Sequence, residues 1–140
     1  MDPLVEFKLH LPNMEPPRRL RRDLGVFELR AMPFKTMVIR YGDAPCAVPT
    51  CLSFKARSEG VVGLLLPHPA ASQRGLTMDA EPRLLLLAND EPLHVGMWNR
   101  GPSDEIKLEP GAPIAQLLFL NLGNVALARP LGGLSLVAGD

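Results

Sequence analysis

Few side chains in this 140-residue chain sit at spacings that do chemistry unaided. The three histidines, His10, His68 and His94, lie far apart and have no ligand spacing, so no metal site is expected from them. Two cysteines, Cys46 and Cys51, fall short of a four-ligand zinc site or a disulfide framework. They read as small, partly buried thiols of a reducing compartment. Arg18, Arg19, Arg21 and Arg22 form a basic cluster. Its ordinary reading is a solvated loop, with phosphate binding or a nuclear-import patch as alternatives. Trp98 sits in a strand-like stretch and reads as core rather than as a stacking platform.

The elements that must carry these residues are short. Val5, Phe7, Leu9 and Leu11 alternate with polar residues, the period of a half-buried strand. Further strands are expected over 26–30, 36–40, 52–56, 61–66, 95–99, 106–108 and 114–120. The leucine run 84–87 could open a helix, but Pro82 and Pro92 leave too short a window. Turn signals at 41–45, 58–60, 99–102 and 109–111 separate the runs. With 15 prolines and 12 glycines, the pattern predicts eight to ten short strands in a sandwich, jelly roll or barrel.

Composition narrows the class. The length suits one domain with its own core. Formal net charge is zero, which gives no global attraction to nucleic acid or membrane. No apolar run approaches the roughly 20 residues that cross a bilayer, and the start of the chain lacks a signal-peptide pattern, so an intracellular protein is expected.

Ala47 through Ser53, with Val48-Pro49-Thr50-Cys51-Leu52 at its centre, resembles the "VPTGL" strand of the dUTPase family. Glu59-Gly60 is similar to that family's "PEG" turn, and Pro67 through Leu76 to its "PRSSLA" phosphate-binding motif. Leu108 through Leu117 resembles "GDRIAQL", Phe27-Glu28-Leu29-Arg30-Ala31 resembles "YDLRA", and Asn99 falls on the family's strand asparagine. These pieces keep their order from Val5 to Leu120. The resemblance implies an all-β, dUTPase-like jelly-roll β-barrel subunit over residues 1–122. A Gly/Ala/Leu-rich C-terminal arm follows over 123–140. It also implies a homotrimer with shared active sites and, in an active member, Mg2+.

Cleaving a nucleoside triphosphate between its α- and β-phosphates needs charge-neutralising groups, a carboxylate to activate water and a pocket for the base. Against the family's motifs, His68 replaces the phosphate-binding arginine, Pro69 replaces a serine and has no N–H to give, and Ala70 removes a hydroxyl. Ser72 and Arg74 remain as candidate contacts. The family's catalytic aspartate falls at Leu84 counting forward or Leu86 counting back, and neither accepts a proton. Asp79 and Asp90 are the local candidates to replace it, though turn aspartates are ordinary. Glu28 stands for the first motif's aspartate, one methylene longer, and active-site geometry tolerates little displacement. Arg129, Gly132 and Gly133 faintly echo the glycine-rich fifth motif, with Leu134 for its stacking phenylalanine. Gln116 belongs to the strand motif that is kept.

No catalytic residue is therefore expected; Glu28, Ser72, Arg74, Gln116 and Arg129 are taken as a vestigial substrate-binding set. The resemblance implies a non-catalytic dUTPase-like protein acting by protein–protein contact with an unidentified partner, as in dUTPase-derived accessory proteins of adenoviruses and herpesviruses. It implies no cofactor, no nucleic acid and no membrane. A C-terminal PDZ-binding peptide does not fit, because Ser135-Leu136-Val137 is followed by three more residues. The alternative is an active dUTP pyrophosphatase that yields dUMP and pyrophosphate with Mg2+.

Overall fold

The computed structural model describes residues 4–132. Twelve strands and one short helix follow one another: β1 Val5–Leu9, β2 Arg18–Arg19, β3 Val26–Arg30, β4 Met37–Arg40, β5 Cys46–Pro49, β6 Leu52–Ala56, β7 Val61–Pro67, α1 Pro69–Gln73, β8 Leu76–Met78, β9 Arg83–Leu85, β10 His94–Asn99, β11 Glu105–Leu108 and β12 Pro113–Asn121. They form four sheets, ordered β1-β6, β5-β10-β8, β11-β4 and β2-β3-β12-β7-β9. The architecture is the expected all-β jelly roll.

The largest sheet is built around β12. Its apolar run Ile114 to Leu120 is long enough to pair along its length with β7 and, on the other side, with β3. Both flanking partners are antiparallel, so Gln116 lies opposite Glu28 on one side and Leu66 on the other. Leu29, Leu65 and Leu117 from these three strands are fully buried and meet Ile39, Met97 and Leu108 from the other sheets in one core. Fully burying each such side chain is worth about 1.5–3 kcal/mol, which sets the register of every strand that carries one.

Local departures from the sequence pattern have identifiable causes. The leucine run contributes β9, because Leu84 pairs opposite Leu64 and the flanking prolines leave no room for a helical turn. Alternation in β1 predicts a buried Phe7, but Phe7 is 50% exposed: among the described residues β1 pairs with β6 alone and nothing covers its outer face. Arg18 and Arg19 are exposed as expected, yet they form a short strand against Glu28 and Phe27 rather than a loop. Trp98 is half-buried, with the Arg100 guanidinium 4.3 Å above its ring.

Two turns show why particular residues stand where they do. Asn99 is buried; its Nδ2 donates to the carbonyls of Ile39 and Ser103, and its Oδ1 accepts from the Gly101 N–H. It fastens the turn after β10 to β4. Beside that turn Gly75 has φ +90°, and a Cβ there would come 2.2 Å from the Gly101 carbonyl oxygen, so only glycine fits.

Candidate functional site

Strand pairing brings two residues of the expected set, Glu28 and Gln116, into one neighbourhood with His68. Glu28 faces out of β3, Gln116 lies opposite it on β12, and β7 runs on the far side of β12 into Pro67 and His68. Residues 40 apart in sequence thereby come into contact: His68 Nε2 is 3.0 Å from Glu28 Oε2. On the other carboxylate oxygen, Arg30 Nε donates to Glu28 Oε1 at 2.9 Å. Arg30 Nη1 also lies 3.7 Å from the exposed Glu15 carboxylate.

His68 has a second task. Its Nδ1 accepts the N–H of Ala70 at 3.1 Å and so caps α1, whose first residue is Pro69. An Nδ1 that accepts leaves the proton of a neutral ring on Nε2, which therefore donates to Glu28. Both ring nitrogens are spoken for. Gln116 is also occupied, its Nε2 donating to the Pro67 carbonyl at 3.0 Å.

Electrostatics follow from this packing. Burial works against ionising Glu28, but the hydrogen bonds from Arg30 and His68, helped by the Arg30 charge, outweigh it. Together they hold the carboxyl below the ordinary glutamate range. Glu28 is an ionised acceptor with both oxygens engaged. It can serve as a base only by abandoning a guanidinium and an imidazole.

The other expected residues are not brought into this cluster. Ser72 is exposed on α1. Arg74 follows that helix and donates through Nη2 to the Lys107 carbonyl, away from Glu28. Arg129 is exposed in the stretch after β12, and Gly133 and Leu134 lie outside the described residues. Leu84 and Leu86, at the position of the missing aspartate, are 57% and 79% exposed. Neither replacement candidate reaches the cluster. Asp79 packs on Gly96 of the three-stranded sheet, and Asp90 is an exposed turn residue before β10. A carboxylate does stand beside Gln116, and it is Glu28 itself. Sequence reasoning missed Arg30 as the partner of Glu28, although their i, i+2 spacing places both on one face of a strand.

Next to the cluster is a cavity of about 320 Å³ lined by Met14, Glu15, Arg18, Glu28, Arg30 and Met32 among others. Its charges already neutralise one another. Among the described residues no group of three or more His, Cys, Asp or Glu side chains is placed to hold a metal ion. Glu28, the buried carboxylate among the described residues, is committed to the Arg30 guanidinium and the His68 imidazole. This set does not fit Mg2+.

Comparison with known structures decides the fold. The dUTPase of Staphylococcus bacteriophage 80alpha with dUPNHPP superposes with a TM-score of 0.76, covering 96% of this chain and 92% of that one at 17% identity. A mutant dUTPase from phage phi11 of S. aureus gives 0.74 over 92% and 97% at 16% identity. This chain has the fold of these dUTPases. Sequence adds a weaker likeness: 29% identity over 94 residues to the deoxyuridine 5'-triphosphate nucleotidohydrolase of Psychromonas ingrahamii. That match spans 66% of this chain and 61% of the bacterial protein. No protein-family profile matches. Asn99 and Gln116, two of the residues that carry the motif resemblance, hold backbone together through their side chains. No helix is long and apolar enough to cross a membrane among the described residues.

Proposed function

We propose that this is a non-catalytic protein of dUTPase fold that works by protein–protein contact. The observation that supports it most directly is the pairing of Glu28 with Arg30 and His68, which engages both oxygens of the cluster's buried carboxylate. A water-activating group is also missing at Leu84 and Leu86. Glu28, Ser72, Arg74, Gln116 and Arg129 are then remnants of a substrate-binding surface, and the residues after 122 a separate arm. The fold is compatible with a homotrimer.

The test is incubation of the purified protein with dUTP and Mg2+, reading dUMP and pyrophosphate. Formation of less than one product molecule per protein molecule is expected. Repeated turnover overturns the proposal and selects the alternative, an active dUTP pyrophosphatase using Mg2+, for which the bacterial relative's activity speaks.

A further inference from the structure

We infer that His68 is a proton-operated latch on α1: a second proton on its ring releases the start of the helix while keeping the ring on Glu28. The two ring nitrogens have separate partners. Nδ1 accepts the Ala70 N–H at 3.1 Å, and Nε2 lies 3.0 Å from Glu28 Oε2. Only a neutral ring can accept at one nitrogen while donating at the other. An imidazolium carries a hydrogen on both and has no lone pair left for Ala70. Imidazole is the side chain whose charge changes between about pH 5 and 8.

The two contacts answer that proton with opposite signs. Nε2 donates in both forms, and a charged ring bonds an ionised carboxylate more strongly. Glu28 is ionised throughout this range, because its carboxyl titrates lower than an ordinary glutamate. At Nδ1 the same proton turns the acceptor into a donor aimed at another donor, so the cap is lost. No neighbouring element offers a substitute. β7, α1 and β8 carry no ionisable side chain. Arg74, just past α1, donates to the Lys107 carbonyl. β12 presents the uncharged Gln116, already bonded to the Pro67 carbonyl. From β3 come Glu28 and, on its other oxygen, Arg30; Arg18 of β2 pairs opposite Glu28.

Helix α1 is built so that this loss moves it. It has five residues, and a helix that short has little stability of its own. Its first residue, Pro69, has no N–H, and Ala71 is its one buried side chain. The N–H groups of Ala71 and Ser72 both go to the His68 carbonyl, so the whole first turn is gathered on one residue. The far end is fixed separately: Gly75 packs against Gly101, and the Arg100 N–H donates to the Gly75 carbonyl at 2.8 Å. Release at His68 therefore opens residues 69–72 and leaves Gly75 anchored. The exposed face of Ala70, Ser72 and Gln73 is ordered at neutral pH and dissolved in weak acid.

The test is nuclear magnetic resonance of the full-length protein across that pH range. Ring nitrogen shifts of His68 report its protons, and Cα carbon shifts of Ala70, Ala71 and Ser72 report the helix. The helical displacement of those three is expected to fall by about half or more in step with the second ring proton, while Leu29 and Leu117 in the core keep their shifts. His68→Asn supplies a capping oxygen that takes up no proton, so its helix shifts are expected to stay constant. In Glu28→Gln the charged ring loses its partner, and release is expected at lower pH than in the parent. The inference is overturned by a ring that takes up no second proton in this range, or by helix shifts that hold while the ring charges. An equal change in His68→Asn, or release at the parent's pH in Glu28→Gln, also overturns it. Should the asparagine variant fail to fold, the parent and Glu28→Gln decide between these outcomes.

Discussion

His68 Nε2 lies 3.0 Å from Glu28 Oε2, joining the end of β7 to the middle of β3 across β12. With Arg30 on the other oxygen, the carboxylate is paired from two sides in a largely buried position. Removing one member of such a network strands the others. Glu28→Ala is expected to cost about 3 kcal/mol at pH 7, read from urea denaturation. The pH dependence has a definite sign. The folded-state carboxyl titrates below its unfolded value. Its contribution is therefore complete above the unfolded value, about 4.3, and is lost as pH falls through the folded one. The parent is expected to lose its advantage over Glu28→Gln in that acid range. A constant difference down to about pH 3 contradicts the pairing.

The two roles of His68 separate by substitution. His68→Asn retains a capping acceptor for Ala70 but does not span to Glu28, whereas His68→Ala keeps neither. The asparagine variant is expected to be more stable than the alanine variant by about 1 kcal/mol. Nitrogen chemical shifts of the parent imidazole provide the direct check: at neutral pH the proton belongs on Nε2. A ring protonated on Nδ1 shows that the cap is not formed.

Cys51 stands where the family strand has glycine, and its φ is +56°. A left-handed conformation costs a residue with a Cβ about 1–2 kcal/mol. Its thiol recovers part of that by donating to the Met32 carbonyl at 3.5 Å, and burial raises its pKa, so it stays protonated. Cys51→Gly is expected to raise stability by about 0.5 kcal/mol after the loss of that contact and the greater freedom of the unfolded chain. A drop in the denaturation midpoint shows that the sulfur contributes more than the strain removes.

Leu86 projects into solvent, so Leu86→Asp is expected to change stability by less than about 0.5 kcal/mol. It restores a carboxylate near the missing-base position, yet dUTP hydrolysis is expected to remain absent because Glu28 stays paired with Arg30 and His68. Turnover by this variant shows that a single residue separates the chain from catalysis.

The β-rich architecture was legible because prolines and glycines cut the apolar runs to strand length and alternation marked their faces. Two features escaped. Helix α1 is five residues long, too short for a 3.6-residue period to register, and its cap is a histidine rather than Ser, Thr or Asp. The contact of Glu28 with His68 depends on β3 and β7 both flanking β12 in fixed register, information held in no local window. Motif counting alone places the family's catalytic aspartate at Leu84 or Leu86, and both side chains are exposed. The pairing of Glu28 with Arg30 was within reach of a two-residue spacing rule.

Gln116 donates to the carbonyl of Pro67 and so ties the last turn of one strand to the middle of its neighbour. Selection for a folded chain alone would keep such a glutamine after turnover had ceased. Motif likeness at joints of this sort dates the ancestry of a scaffold and is silent about its present occupation. An inventory of inherited enzymes built on strand motifs will count retired ones among the working.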